Sequence, residues 1–465
     1  MKHRAGIVHL MIALLMAAFM EVPAQESLQL GFVRSVPQSL RLNPAGEVPY
    51  TWWMGIPALS SWHVGAVNSG FTFHDVFYRG SDDSLRFDVD AFLDGLKKNN
   101  DVSVNLSSEI LAFGFHLKQY YLEARVTERF MGSFHYSKDL MTLLFRLNGG
   151  FINTTADICG LGVNMSLFHE VSLGASRKIN DRWTSGFRLK YLAGVANIYS
   201  RKTSLTLFTD ESLAYALTFD SDIEINSSFP GIPDHPADSL DFSLDEKRML
   251  RQLDGWKNPG FAVDLGITYR LLDALTLGVS VNDLGFIHWK NNPRSLVSDE
   301  KNHAYTFEGI DIEEYFTGDS ISLGDKFEDL LDSLSASMGF RTHYKPYVSY
   351  LLATFNLTAR YSLGKRNHFG LLLRNEVFDR RWKPGLMLNY ELEAGKLLAL
   401  TAGYYLTKRN LYNLALGFSL KLAAFQFYMV TDNALAFYNP GRTKTAGLQF
   451  GFNLCFGDRR FKEAP

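Results

Sequence analysis

The stretch GLQFGFNLCF, residues 447–456, puts Leu448, Phe450, Phe452, Leu454 and Phe456 on every second position, with Gly447, Gln449, Gly451, Asn453 and Cys455 between them. Successive side chains of a strand point to opposite faces, so this segment has one large apolar face and one small or polar face. A helical period would scatter the five large residues around a cylinder. The segment is a strand, and what its apolar face meets decides the fold.

The same alternation recurs along most of the chain. In LAFGFHL, Leu111, Phe113, Phe115 and Leu117 oppose Ala112, Gly114 and His116. After a two-residue turn, Tyr120, Leu122, Ala124 and Val126 oppose Tyr121, Glu123, Arg125, Thr127 and Arg129. Hairpins follow around NDR (180–182) and LLDAL (271–275), and six more alternating segments run from ATFNLTARYSL to AFQFYMVTDN with short polar spacers. Segments of about ten residues with such spacers fit tilted strands crossing a bilayer. The pattern predicts an all-β chain, a transmembrane antiparallel up-and-down β-barrel of about 14 strands, within a range of about 12–16.

A soluble β-sandwich also alternates, but its outward face is charged. Here the non-apolar face is mostly Gly, Ala, Ser, Thr and Asn with sporadic charges, as in a barrel lumen. Aromatics make up 14% of the residues, and Trp52, Trp53, Tyr191, Trp289, Tyr404 and Tyr405 fall near strand ends, where membrane barrels carry aromatic girdles. On this reading Leu448, Phe450, Phe452, Leu454 and Phe456 face lipid, and Asn453 faces a lumen tolerant of substitution.

Lys2, His3 and Arg4 precede a short apolar run, and Val22 and Ala24 occupy the small-residue positions of a signal-peptidase site. Residues 1–24 are expected to be a cleaved signal peptide, and 25–465 a single outer-membrane barrel domain. Three segments read as helical inserts that plug or cap it: 88–100, 137–150 with Ser137 as N-cap, and 323–339. Residues 228–258 and 290–322 read as surface loops.

Several phrases together, LNPAG, ERFMGSFHYSKDLMTLLFRLNGG, NPGFAVDLGITYRL, SVNDLGFIHW, FQFYMVTDNALAFYNP and GFNLCFG, resemble a family of outer-membrane β-barrel proteins of unknown function from Bacteroidota. More distantly the chain is similar to FadL-like and PorV-like barrels. That resemblance implies uptake of a hydrophobic molecule or a role in type IX secretion. It also implies that the segment around LNPAG leads into the lumen; a Pro-stopped turn before the first strand is the alternative. Phe456 resembles the terminal aromatic that the barrel-insertion machinery reads, although nine residues follow it.

No catalytic constellation, cofactor motif or metal-ligand spacing stands out. Glu123, Arg125, Arg129, Arg188, Lys190, Asp264 and Arg270 are the candidate polar residues of the lumen. They either steer a polar solute or neutralise one another as an internal ion-pair network, the simpler reading. His74, His116, His135 and His169 sit on separate segments and do not make a site. Cys159 and Cys455 are the only cysteines. A formal net charge of −2 argues against nucleic acid as a partner. The expected partners are outer-membrane lipid, the insertion machinery, and either a small hydrophobic ligand or envelope proteins.

The reading predicts cleavage between Ala24 and Gln25 and recovery with the outer membrane. A closed barrel has no edge strand to fray, so its mobility on a denaturing gel should change on boiling. N-terminal sequencing and gels of boiled and unboiled fractions check both; soluble recovery with unchanged mobility contradicts them.

Overall fold

The computed structural model describes residues 27–81, 83–146, 150–211, 216–229, 256–298, 305–307, 340–378, 381–407 and 413–459. The expected signal peptide and the expected helix at 323–339 lie outside the described residues.

Fourteen antiparallel strands close into one barrel. The first, β1, comes in two pieces, Trp52–Gly55 and Ser61–Asn68. β2 (Asn99–Leu117), β3 (Tyr120–Ser137), β4 (Gly162–Lys178) and β5 (Trp183–Asp210) follow. β6 is also split, into Ala216–Ser228 and Pro259–Leu272, and both pieces run beside β5. Then come β7 (Leu275–Trp289) and β8, made of Tyr347–Tyr350 and Ala353–Leu363. The last six are β9 (Asn367–Phe378), β10 (Arg381–Ala394), β11 (Leu398–Thr407), β12 (Asn413–Leu422), β13 (Phe425–Thr431) and β14 (Thr445–Phe456). Closure is the pairing of β1 with β14, in register from Trp52 opposite Phe456 to Val64 opposite Leu448. Residues 56–60 bow out of β1 without opening the seam. Ala58 N–H donates to Ile110 O at 2.8 Å, and Phe452 N–H donates to Leu59 O at 2.9 Å.

Connections at one end are tight. Lys118 and Ala423 turn the chain at φ 55° and 53°, and Gly364 and Gly395 at 69° and 70°. The other end carries the long connections. There, part of the stretch expected to be loop is strand: Arg294–Val297 and Tyr305–Phe307 extend the sheet beside the first piece of β6.

The outer face is apolar. Leu111, Phe113, Leu173, Leu189, Phe261, Leu277, Leu357, Leu373, Leu388, Leu400 and Leu416 are 37–62% exposed, a continuous belt far larger than water-soluble monomers carry. Trp52, Tyr120, Trp183 and Tyr361 ring its short-turn edge on the same side. The residues grouped as girdle from the sequence divide, because neighbours on a strand face opposite ways. Trp52 and Tyr404 are outside, but Trp53 and Trp289 are fully buried inside, with indole N–H groups donating to Tyr121 OH at 2.7 Å and Ser349 Oγ at 2.8 Å. Tyr405 packs on a lumen cluster.

Helix α1 (Val89–Gly95) is shorter than expected because β2 already begins at Asn99. Helix α2 (Lys138–Arg146) starts where Ser137 Oγ accepts the Leu140 N–H. Neither enters the lumen. Phe92 and Leu93 of α1 and Leu140 of α2 bury against Val76, Ile158, Leu205 and Leu207 in a separate small core at the long-loop end. They are a cap; the plug is another part of the chain.

Phe452→Arg should lower stability by about 2–4 kcal/mol, the cost of a charge on the lipid face near mid-depth. Asn453→Arg is not the mild change that an open lumen implies. Asn453 is fully buried, with its amide donating to Gln38 at 3.0 Å and Gln426 at 3.1 Å, so arginine there must push out whatever fills the lumen. Urea titrations of refolded protein should show both variants weakened and Phe452→Leu close to wild type.

Candidate functional site

Residues 27–51 fill the barrel. The segment starts at mid-height, where Ser27 Oγ and the Leu28 and Gln29 N–H groups all donate to Asp432 at 2.7–3.0 Å. It descends through two single turns of 3-10 helix, Gln29–Phe32 and Pro37–Arg41, and leaves at the short-turn end into β1. Its apolar residues meet apolar wall residues in three patches. Leu28, Phe32 and Leu42 pack on Leu372, Met387 and Ala415. Leu30, Val33 and Val36 pack on Ala399, Tyr428 and Val430, and Leu40, Val48 and Tyr50 on Trp53, Ala112 and Tyr121.

An irregular segment away from water must still pair its backbone. Wall side chains supply the partners. Ser280 Oγ and Asn282 Nδ2 donate to Leu42 O at 2.7 and 2.9 Å, and Gln426 Nε2 donates to Ser35 O at 2.6 Å. Asn43 Oδ1 accepts the Ala45 N–H at 2.9 Å, locking the Asn-Pro-Ala turn that LNPAG announces. That turn lies in the lumen against Gly186 and Gly266, which face each other across β5 and β6. A Cβ on Gly186 would come within 2.3 Å of Pro44 O, so only glycine lets the two backbones approach.

On the long-loop side of this turn a chain of charges crosses six strands. Arg41 of the plug meets Glu109 at 2.9 Å, Glu109 meets Arg125 at 2.8 Å, and Arg125 meets Glu123 at 2.8 Å. Arg188 bridges Glu123 at 2.5 Å and Asp264 at 2.7 Å. Lys190 joins Asp264 at 2.8 Å to Asp283 at 2.6 Å, and Arg129 joins Asp283 at 3.0 Å to Glu170 at 2.9 Å. Five carboxylates thus balance five cations. The guanidinium groups also reach the plug: Arg125 donates to Pro37 O at 3.2 Å and Arg188 to Leu40 O at 3.3 Å. Desolvated charges persist only when paired and hydrogen-bonded, and both conditions hold here.

Six of the seven sequence candidates, Glu123, Arg125, Arg129, Arg188, Lys190 and Asp264, come together in this network. Arg270 does not. It sits at the short-turn rim with its side chain 41% exposed, 3.8 Å from Glu47. The alternation missed Arg41, Glu109, Glu170 and Asp283. Glu170 was reachable, since it shares a face with Ser172 and Gly174. Asp283 was not: it has φ 57°, and the β6–β7 register slips between Val263 and Leu265, turning inward a side chain that strict alternation sends out. Glu109 sits at a similar slip in β2. The outward face of β14 carries Leu448, Phe450, Phe452, Leu454 and Phe456, while Gln449 and Asn453 are fully buried inside.

On the long-loop side of the plug lies a cavity of about 70 Å³. Its floor is plug, both apolar and polar: Leu28, Leu30 and Leu42 with Ser27, Gly31, Gln38 and Arg41. Its walls include Phe130, Arg129 and Asp283. The scattered histidines do not converge. His169 pairs with Glu128 and His116 with Tyr50 O. Cys159 and Cys455 are not joined in a disulfide, and Cys455 Sγ donates to Gln426 Oε1 at 3.4 Å.

The model of a family described as of unknown function (DUF5723) matches residues 44–432. The chain belongs to that family. No curated protein matches the sequence. Among solved structures, the toluene transporter TodX of Pseudomonas putida aligns over 95% of both chains at 8% identity, with a TM-score of 0.40. A FadL homologue of Pseudomonas aeruginosa aligns over 95% of this chain and 99% of its own, at 9% identity and TM-score 0.42. The toluene transporter TbuX of Ralstonia pickettii aligns over 87% and 89%, at 8% identity and TM-score 0.40. These are likenesses of outline.

Removing one partner of a buried pair strands the other charge. Arg188→Ala should therefore cost about 3–5 kcal/mol, and Arg270→Ala, at the wet rim, no more than about 0.5 kcal/mol. Equal unfolding midpoints for the two variants would remove the network from its structural role.

Proposed function

We propose that this protein is an outer-membrane β-barrel that takes up a small molecule of hydrophobic character, with its own N-terminal segment as the gate. The apolar belt and closed ladder support a place in lipid, where every backbone polar group must be satisfied within the sheet. The observation that carries the uptake reading is the floor of the cavity. A solute entering from the long-loop end rests on Leu28, Leu30 and Leu42, the segment that must move to let it pass. Leu28, Leu30 and Leu42 on that floor favour a small solute with an apolar body, and Gln38, Arg41 and the Arg129–Asp283 pair beside them favour one that also carries a polar end. The three apolar patches that seat the plug against the wall argue against a standing water-filled route.

A second reading is a closed anchor whose long-loop end binds envelope proteins, including secretion components. It is favoured by the cap, which has a core of its own and does not touch the lumen.

Planar-bilayer recordings separate the readings. Wild type should show no large steady conductance, and a variant lacking residues 27–46 should open a wide pore while keeping heat-modifiable mobility. Large non-selective conductance from wild type would falsify the gate. A silent wild type that binds no small solute but retains an envelope protein through purification supports the anchor.

A further inference from the structure

Away from the network, at the short-turn end, three inward side chains of β9 and β10 converge. His368 lies directly opposite Glu391 across the ladder, and Glu393 is the next inward residue of β10. One ligand atom from each lies within 4.8 Å of the other two, and all three residues are buried. His368 Nδ1 is 2.9 Å from Ser362 Oγ. With Nδ1–H donating there, Nε2 presents its lone pair to the carboxylates. That side chain is 5% exposed, and Nε2 has no hydrogen-bond partner; Glu393 Oε1 stands 4.0 Å off, beyond hydrogen-bond reach.

Glu391 is the anchor of the group. Its Oε1 accepts the Arg34 N–H of the plug at 3.1 Å, and its Oε2 pairs with Arg360 of β8. Each carboxylate oxygen has two lone pairs, so both contacts leave capacity for a further bond. We infer that His368 Nε2, Glu391 and Glu393 form a binding site for a divalent transition-metal ion of the zinc class. One imidazole and two carboxylates are a donor set that zinc accepts. Its bonds of about 2.0–2.2 Å put ligand atoms nearly 3.4 Å apart, a side-chain adjustment of little more than 1 Å from the present spacing. The Ser362 contact fixes the imidazole tautomer, as a partner behind a ligating histidine does. The ion would sit between wall and plug, since Glu391 holds Arg34 on its other side.

The test uses full-length mature barrel, extracted in detergent, stripped with a chelator and titrated calorimetrically with zinc chloride. Wild type should take up one zinc ion. His368→Gln should abolish that uptake and Glu393→Gln weaken it at least about tenfold, with both retaining the boiling-dependent gel shift of a folded barrel. Cobalt(II) should give wild type a visible absorption band distinct from the aqueous ion. No stoichiometric uptake, or equal uptake by folded His368→Gln, overturns the site. If neither variant folds, the wild-type cobalt spectrum decides: a spectrum identical to that of the free ion overturns it.

Discussion

The structure depends on one electrostatic condition: the charges inside the lumen must cancel around a segment that is neither helix nor strand. Residues 27–51 bring irregular backbone into a space from which water is largely removed. Their carbonyls are met by Arg125, Arg188, Ser280, Asn282 and Gln426. Two of those donors are cations and need carboxylates beside them, which need cations in turn. The ladder from Arg41 to Glu170 is that regress brought to a close. Wall and plug are therefore a single electrostatic unit, in which Arg41 of the plug is one of the two cations that Glu109 of the wall requires.

Much of this was legible in the chain, and the limits of legibility have physical causes. Period-two alternation fixes which side of each strand faces out, so the strand count and the inward set on β3, β5 and β6 follow from it. It fails where a strand gains a residue, as at Ile110 and Asp283, because each slip exchanges the faces beyond it. The plug has no period at all. Only Asn43 and Pro44 hinted at its place, and the amphipathic stripe of 138–146, readable as plug or cap, did not say which. That stripe does bury, but against α1 and the strands of the cap. His368, Glu391 and Glu393 went unnoticed because 22 residues separate the first two in sequence, and only the hairpin register brings them face to face.

Shape complements charge in seating the plug. The wall presents glycine where the plug backbone comes closest, as at the Gly186–Gly266 pair, and apolar side chains where its Leu, Val and Phe residues point. Polar donors stand between the apolar patches. A lumen lined this way holds one conformation of one segment, and the buried amide of Asn453 is part of that seat.

The plug also sets an order of events. It precedes β1 in the chain, yet the chamber it occupies does not exist until β1 has found β14, the last strand made. A segment synthesised before every strand must therefore wait beside the growing sheet and be enclosed, or threaded, only as the ends join. During that interval Arg41 and the carboxylates it faces are solvated and separate. Seating the plug and sealing the wall become a single late step, one that rejects any sheet closed in the wrong register, because a shifted wall offers the waiting segment neither its counter-charges nor its glycines.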